Sequence, residues 1–175
     1  MVENYQDAMA SLDNADGKIF FVYGGGTGKT YLWRAIIAEL RSQRKIVIVI
    51  ASSGIAALLS PGGRTAHSKL RIRIDINEFS SCSISRQADL AELIRAARLI
   101  VWDEAPLTTR FAFDAVDQTL RDLFQSLDPI AESKPFGGVT VILGRDFRQM
   151  LQVISKGKRH DIVSVTLHKS EMWKD

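Results

Sequence analysis

At 175 residues, 46% hydrophobic and 25% charged, the chain is long enough to bury one core, and its composition excludes a disordered tract or a collagen-like repeat. Its one cysteine, Cys82, excludes an internal disulfide, and with three scattered histidines beside it the sequence shows no clustered zinc-ligand spacing. A net charge of +3 and a pI near 9.1 permit an anionic partner such as nucleic acid without requiring one, and no apolar run approaches the roughly 20 residues that cross a bilayer.

Ile19-Phe-Phe-Val-Tyr23 is a short apolar run stopped by three glycines, as a buried parallel strand entering a loop would be. From Thr30 onward Leu32, Trp33, Ile36, Ile37 and Leu40 recur at helical spacing and predict an amphipathic helix. Ile46-Val-Ile-Val-Ile50 reads as a second buried strand. Ser52-Ser53-Gly54 suits the cap of a following helix, with Ile55 to Leu59 as its apolar face and Pro61-Gly62-Gly63 as its stop. Arg71-Ile-Arg-Ile-Asp-Ile76 alternates like a strand or an extended edge, and the serine-rich stretch after it reads as a loop. Ala88 to Ala97 predicts a helix, Leu99 to Trp102 a third buried strand and Phe111 to Leu127 a long amphipathic helix. After the Pro135-Phe-Gly-Gly138 turn, Val139 to Leu143 is a fourth strand. Strands apolar throughout, alternating with helices, predict one α/β domain with a parallel sheet covered on both faces.

Tyr23-Gly24-Gly25-Gly26-Thr27-Gly28-Lys29-Thr30 lies between that first strand and helix, the context that makes a glycine-rich pattern a phosphate site. Glycines let backbone N–H groups converge on phosphate oxygens, and the helix N-terminus adds a favourable dipole. In this reading Lys29 meets the β- and γ-phosphates of ATP and the Thr30 hydroxyl meets Mg²⁺. The full pattern wants its first glycine six positions before the lysine, where Tyr23 stands, so the loop is one residue short. A glycine-rich turn with a surface lysine is the alternative.

Leu99-Ile-Val-Trp-Asp103-Glu104 delivers two adjacent carboxylates at the C-terminal end of a strand, where open α/β sheets bind ligands. Because the chain turns there, one acid can hold the metal while its neighbour faces the attacking water. Asp103 is assigned to Mg²⁺ and Glu104 to the water; two solvated acids at a strand end are the alternative.

With these motifs in order, the chain resembles the PIF-type DNA helicases of superfamily one, most closely the helicase modules of plant Helitron-like transposons. The resemblance runs nearly end to end. It rests on Phe20-Phe-Val-Tyr-Gly24, GTGKT ending at Thr30, ASSGIAALL from Ala51, PGGRTAHS from Pro61, VWDEAP from Val101, TLRDLF from Thr119, PFGG from Pro135, DFRQ ending at Gln149 and KGKRHDIV from Lys156. It implies a three-layer RecA-like P-loop NTPase domain with a mainly parallel central sheet. It also implies ATP hydrolysis with Mg²⁺ coupled to 5′-to-3′ unwinding, and single-stranded DNA or DNA junctions as partners. Gln149 matches the residue that senses the γ-phosphate. Ser53, Arg64, Thr65 and His67 fall in the blocks that touch the DNA backbone, although Ser52 and Ser53 serve equally as helix caps. A nuclear location and roles in DNA repair, recombination or telomere maintenance follow by the same analogy.

The departures from the pattern are specific. Arg145 stands where a glycine usually precedes the DFRQ aspartate, and Leu151-Gln152-Val153 replaces a proline-containing block. The chain starts after the expected adenine-contacting glutamine and stops near Trp173, before a second RecA-like domain. The isolated chain is therefore expected to hydrolyse ATP very slowly and not to unwind. A catalytically impaired nucleotide- or DNA-binding remnant is the competing reading; a small P-loop kinase is disfavoured because no lid-like arginine segment follows the Asp-Glu strand.

Overall fold

The apolar runs become the strands of one sheet. The computed structural model describes residues 18–23 and 28–145, apart from the side chains of Tyr23, Lys29 and Arg145. Its strands are β1 (Ile19–Tyr23), β2 (Ile46–Ala51), β3 (Arg64–Thr65), β4 (Ala97–Asp103) and β5 (Thr140–Arg145). They form a five-stranded sheet in the order β1-β5-β4-β2-β3, and every pairing among the described residues is parallel. Parallel neighbours need crossovers, and helices supply them. These are α1 (Gly28–Ser42), α2 (Gly54–Leu59), α3 (Ala66–Lys69), α4 (Asp89–Ala96) and α5 (Arg110–Gln125), with 3₁₀ turns at Ala105–Leu107, Pro129–Ser133 and Pro135–Gly138.

The strands are apolar on both sides because both faces are covered. On one face Trp33, Ile36, Ile37 and Leu40 of α1 pack on Val47, Val49, Leu99, Val101 and Ile142. On the other, Ile48, Ile50, Ile100, Trp102, Val141 and Leu143 meet Ile94 of α4 and Phe113, Val116 and Leu120 of α5. Successive residues of β4 thus alternate between the two layers, as the pleat requires. Phe113 sits 5.4 Å from Trp102 and 5.2 Å, edge-on, from Phe136, ring centroid to ring centroid. Phe136 has a left-handed backbone (φ 51°) whose N–H donates to Asp117 Oδ1 on α5 at 2.6 Å, which ties the Pro135–Gly138 turn to that helix. Gly137 is needed there twice over: φ is +65°, and a β-carbon would press on the Leu120 carbonyl at 2.8 Å.

Two expectations require correction. Helix α2 forms as predicted, but Ile55 and Leu58 are 79% and 87% exposed, and the buried residues are Ala56 and Ala57. The two alanines cluster with Ala51 of β2, and the turn that closes α2 lies so near it that a β-carbon on Gly63 would overlap the Ala57 carbonyl. The alternating Arg71–Ile76 segment is not a strand. Arg71 adopts φ 53°, which breaks the extended backbone; Ile72 is buried while Ile74 is 94% exposed. The fifth strand instead forms at Arg64–Thr65, pairing with Ile50 and Ala51.

Candidate nucleotide and nucleic-acid site

Helix α1 begins at Gly28, so Gly28, Lys29 and Thr30 form its first turn directly after the glycine-rich loop. That turn carries no acidic side chain, so nothing of its own sequence competes there for an incoming anion. Gly24, Gly25, Gly26 and Thr27 lie outside the described residues, as do the Lys29 side chain and Gln149.

The acid pair closes the central strand. Asp103, the last residue of β4, is 9% exposed, and its Oδ1 accepts the Glu104 N–H at 3.0 Å. Glu104 then turns the chain in the left-handed region, φ 53° and ψ 32°. The two carboxylates diverge. Asp103 leans toward β5, where a β-carbon on Gly144 would overlap its Oδ1 and meet Trp33 Cζ2 of α1 at 3.1 Å. Glu104 turns to the opposite neighbour, β2, where its Oε2 accepts the Ser53 hydroxyl at 2.6 Å. Since β1 flanks β5, Asp103 is on the side of the strand that feeds the glycine-rich loop, and Glu104 is on the side of β2 and β3.

Ser53 caps α2, its Oγ accepting the Ala56 N–H at 3.2 Å while donating to Glu104. Thr65 caps α3 in the same way, accepting Ser68 N–H at 3.4 Å. The parallel register of β2 and β3, Ala51 beside Thr65, places Ser53, Arg64, Thr65 and His67 at one end of the sheet. Arg64 and His67 are exposed and line an open cleft with Ser68, Arg71 and Arg73. The last two cations were not singled out from sequence; their alternation with isoleucines read as strand rather than as a basic rim.

Ser52 has a different part. Its Oγ accepts the indole N–H of buried Trp102 at 3.1 Å and shares a 2.6 Å hydrogen bond with Thr108 Oγ1, while its N–H donates to the Asp103 carbonyl at 3.1 Å. Sequence reasoning also missed Gly144, although a glycine closing an apolar strand is the mark of a close backbone approach.

The donor set limits which cation fits. Among the described residues no group of three or more His, Cys, Asp or Glu side chains gathers to hold a metal. A hydroxyl and a carboxylate, the groups that Thr30 and Asp103 offer, are hard oxygen donors, a chemistry that fits Mg²⁺ better than Zn²⁺.

The PIF1-like helicase family profile matches residues 2–175. The ATP-dependent DNA helicase PIF4 of Trypanosoma brucei brucei is 35% identical over 78% of this chain and 17% of its own length. RRM3 of Saccharomyces cerevisiae, also an ATP-dependent DNA helicase, is 30% identical over 89% of this chain and 21% of its own. Among solved structures, a Bacteroides Pif1 helicase in complex with ADP-AlF3 and single-stranded DNA superposes with a TM-score of 0.75 at 26% identity, covering 98% of this chain and 39% of that one. The chain therefore spans about a fifth of these curated relatives and about two fifths of that solved structure. A parallel α/β sheet, an acid pair at the tip of its central strand and a match along nearly all 175 residues lead to one conclusion: the chain belongs to the PIF1-like helicase family.

Proposed function

We propose that this chain is the nucleotide-binding RecA-like domain of an ATP-dependent DNA helicase, hydrolysing Mg·ATP in a way that responds to single-stranded DNA or DNA junctions. The observation that carries this reading is the divergence of the acid pair: Asp103 toward Gly144 and α1, Glu104 toward Ser53. In this reading the backbone N–H groups of Gly24 to Gly28 cradle the phosphates, and Lys29 neutralises the β- and γ-phosphates. Thr30 and Asp103 hold Mg²⁺, which offsets charge on the transferring phosphoryl group. Glu104 orients the attacking water, and Gln149 senses the γ-phosphate. Ser53, Arg64, Thr65 and His67 take the DNA backbone. The relatives named ATP-dependent DNA helicases and the Bacteroides complex with ADP-AlF3 and single-stranded DNA support the helicase reading. A second RecA-like domain supplies the closing half of the nucleotide site and the movement along DNA. By the resemblance of the motifs we also infer 5′-to-3′ movement and a nuclear role in DNA repair, recombination or telomere maintenance.

A second reading, a remnant that binds nucleotide or DNA without turnover, is favoured by Tyr23 at the position of the first loop glycine. One assay separates the two: binding and hydrolysis of Mg·ATP with and without single-stranded DNA, in the wild type, Lys29→Ala and Glu104→Gln. The helicase reading expects DNA-stimulated hydrolysis that both variants lose, with nucleotide binding retained in Glu104→Gln. Binding that Lys29→Ala abolishes, with no hydrolysis in any sample, supports the remnant.

A further inference from the structure

The Ser53 hydroxyl is bound to one anion, Glu104, and is the proposed contact of a second. Its single proton is donated to Glu104 Oε2 at 2.6 Å, and one of its lone pairs takes the Ala56 N–H at 3.2 Å. Phosphodiester oxygens of nucleic acid only accept hydrogen bonds. A hydroxyl with one proton cannot donate to a phosphate and to Glu104 at once. The backbone of Glu104 is fixed by its N–H bond to Asp103 Oδ1 at 3.0 Å, so the direction of its carboxylate is set by side-chain torsions and by the Ser53 contact. An arriving phosphate also brings like charge toward that carboxylate, since Arg64, Thr65 and His67 stand at the same end of the sheet.

We propose that Ser53 is a positioning residue that holds Glu104 on the β2 side of the sheet, and that a DNA phosphate releases Glu104 toward the nucleotide by taking the Ser53 proton. The inference rests on the reading of the chain as a DNA-responsive ATPase domain and adds how the two sites communicate. Without DNA, Glu104 is turned from Asp103 and the attacking water lacks its orienting carboxylate. With DNA, the hydroxyl rotates to the phosphate, Glu104 loses its tether, and hydrolysis rises.

The test uses the whole chain, Mg·ATP and oligothymidylate, with three variants. Ser53→Ala removes the donor. Ser53→Asp also removes it but keeps a good cap for α2, so a folding defect in the alanine variant does not decide the matter. Ser53→Thr keeps both donor and cap. The expected result is a DNA-free kcat raised about tenfold in the alanine and aspartate variants, the weight of one charge-assisted hydrogen bond. The ATP KM stays unchanged, stimulation by DNA is largely lost, and threonine restores the wild-type pattern. A DNA-free kcat that stays at the wild-type value or falls in both variants overturns the proposal.

A second measurement is independent of turnover: the ¹³C carboxyl resonance of Glu104, assigned through Glu104→Gln. It should differ between wild type and Ser53→Ala, and oligothymidylate should move the wild-type signal toward the alanine position. An identical resonance in the two free proteins, or one that DNA binding leaves in place, overturns the proposal. If the wild type neither binds nor hydrolyses Mg·ATP, the proposed function fails, whereas the resonance comparison still decides the Ser53–Glu104 tether. If oligothymidylate does not bind, both the DNA half of that function and the release step are overturned.

Discussion

Asp103 and Gly144 stand side by side on β4 and β5 with no room for a β-carbon between them: one built on Gly144 would overlap Asp103 Oδ1 and touch the Trp33 ring at 3.1 Å. The backbone of Gly144 is not in the left-handed region, so the constraint there is space alone. Gly144→Ala should therefore displace the Asp103 carboxylate or Trp33, both buried. Overpacking of this kind costs about 1–3 kcal/mol. Chemical denaturation should show that loss, and calorimetric titration should show weakened binding of Mg·ATP with smaller change for magnesium-free nucleotide.

The sheet and the two long helices were legible in the sequence because their signals are repetitive. Five consecutive apolar residues in β2 can only be buried on both faces, and the spacing of Trp33, Ile36, Ile37 and Leu40 holds across about two turns of α1. What escaped depends on single torsions and distant partners. Arg71 breaks the Arg-Ile alternation with one positive φ. Ile55 and Leu58 face outward while Ala56 and Ala57 pack with Ala51 of β2. The acid pair was legible as a pair, and its divergence was expected from the strand ending there. The partners were not: Ser53 is 51 residues from Glu104.

Asp117 gives a pH prediction. Burial raises its carboxyl pKa above the ordinary range, partly opposed by the Phe136 N–H and by Arg121, which donates to it at 2.7 Å. A folded-state pKa above the unfolded value favours the protonated fold. Its stabilising share is present below the unfolded pKa and is lost as pH rises through the folded one. Urea denaturation from about pH 4 upward should show this decline, and Asp117→Asn, which keeps an acceptor for Phe136, should flatten it. Asp117→Ala leaves the buried Phe136 N–H without its side-chain acceptor and should cost about 1–3 kcal/mol.

Cys82 titrates in the opposite range. Burial pushes its thiol from 9.0 up to about 11, with the Thr119 hydroxyl pulling slightly the other way. The thiolate is the reactive form, so the folded protein should resist iodoacetamide near pH 8 and react only on unfolding. The sign again follows from a raised pKa: the contribution is intact below pH 9 and disappears as pH climbs toward 11. The loss should be on the order of 2 kcal/mol in guanidinium denaturation, and Cys82→Ala should abolish that share of it.

Ser52 predicts an energetic coupling. Ser52→Ala removes the acceptor of the Trp102 indole N–H, a group with no exposure to water, and should cost about 1–3 kcal/mol. Trp102→Phe removes the donor together with the need for an acceptor. In the double variant the serine deletion should therefore cost much less than alone, a non-additivity readable from denaturation of the four proteins.

The same contacts stitch the tips of β2 and β4 together. The ladder continues one residue beyond β2 through Ser52 N–H and the Asp103 carbonyl, and the Trp102–Ser52–Thr108 bonds fasten the strand ends to the turn that follows. One serine thus ties together both strand ends and the residue that ends the following turn. Loss of the Ser52 hydroxyl would therefore loosen both strand ends at once, the one that leads to Ser53 and the one that carries Asp103.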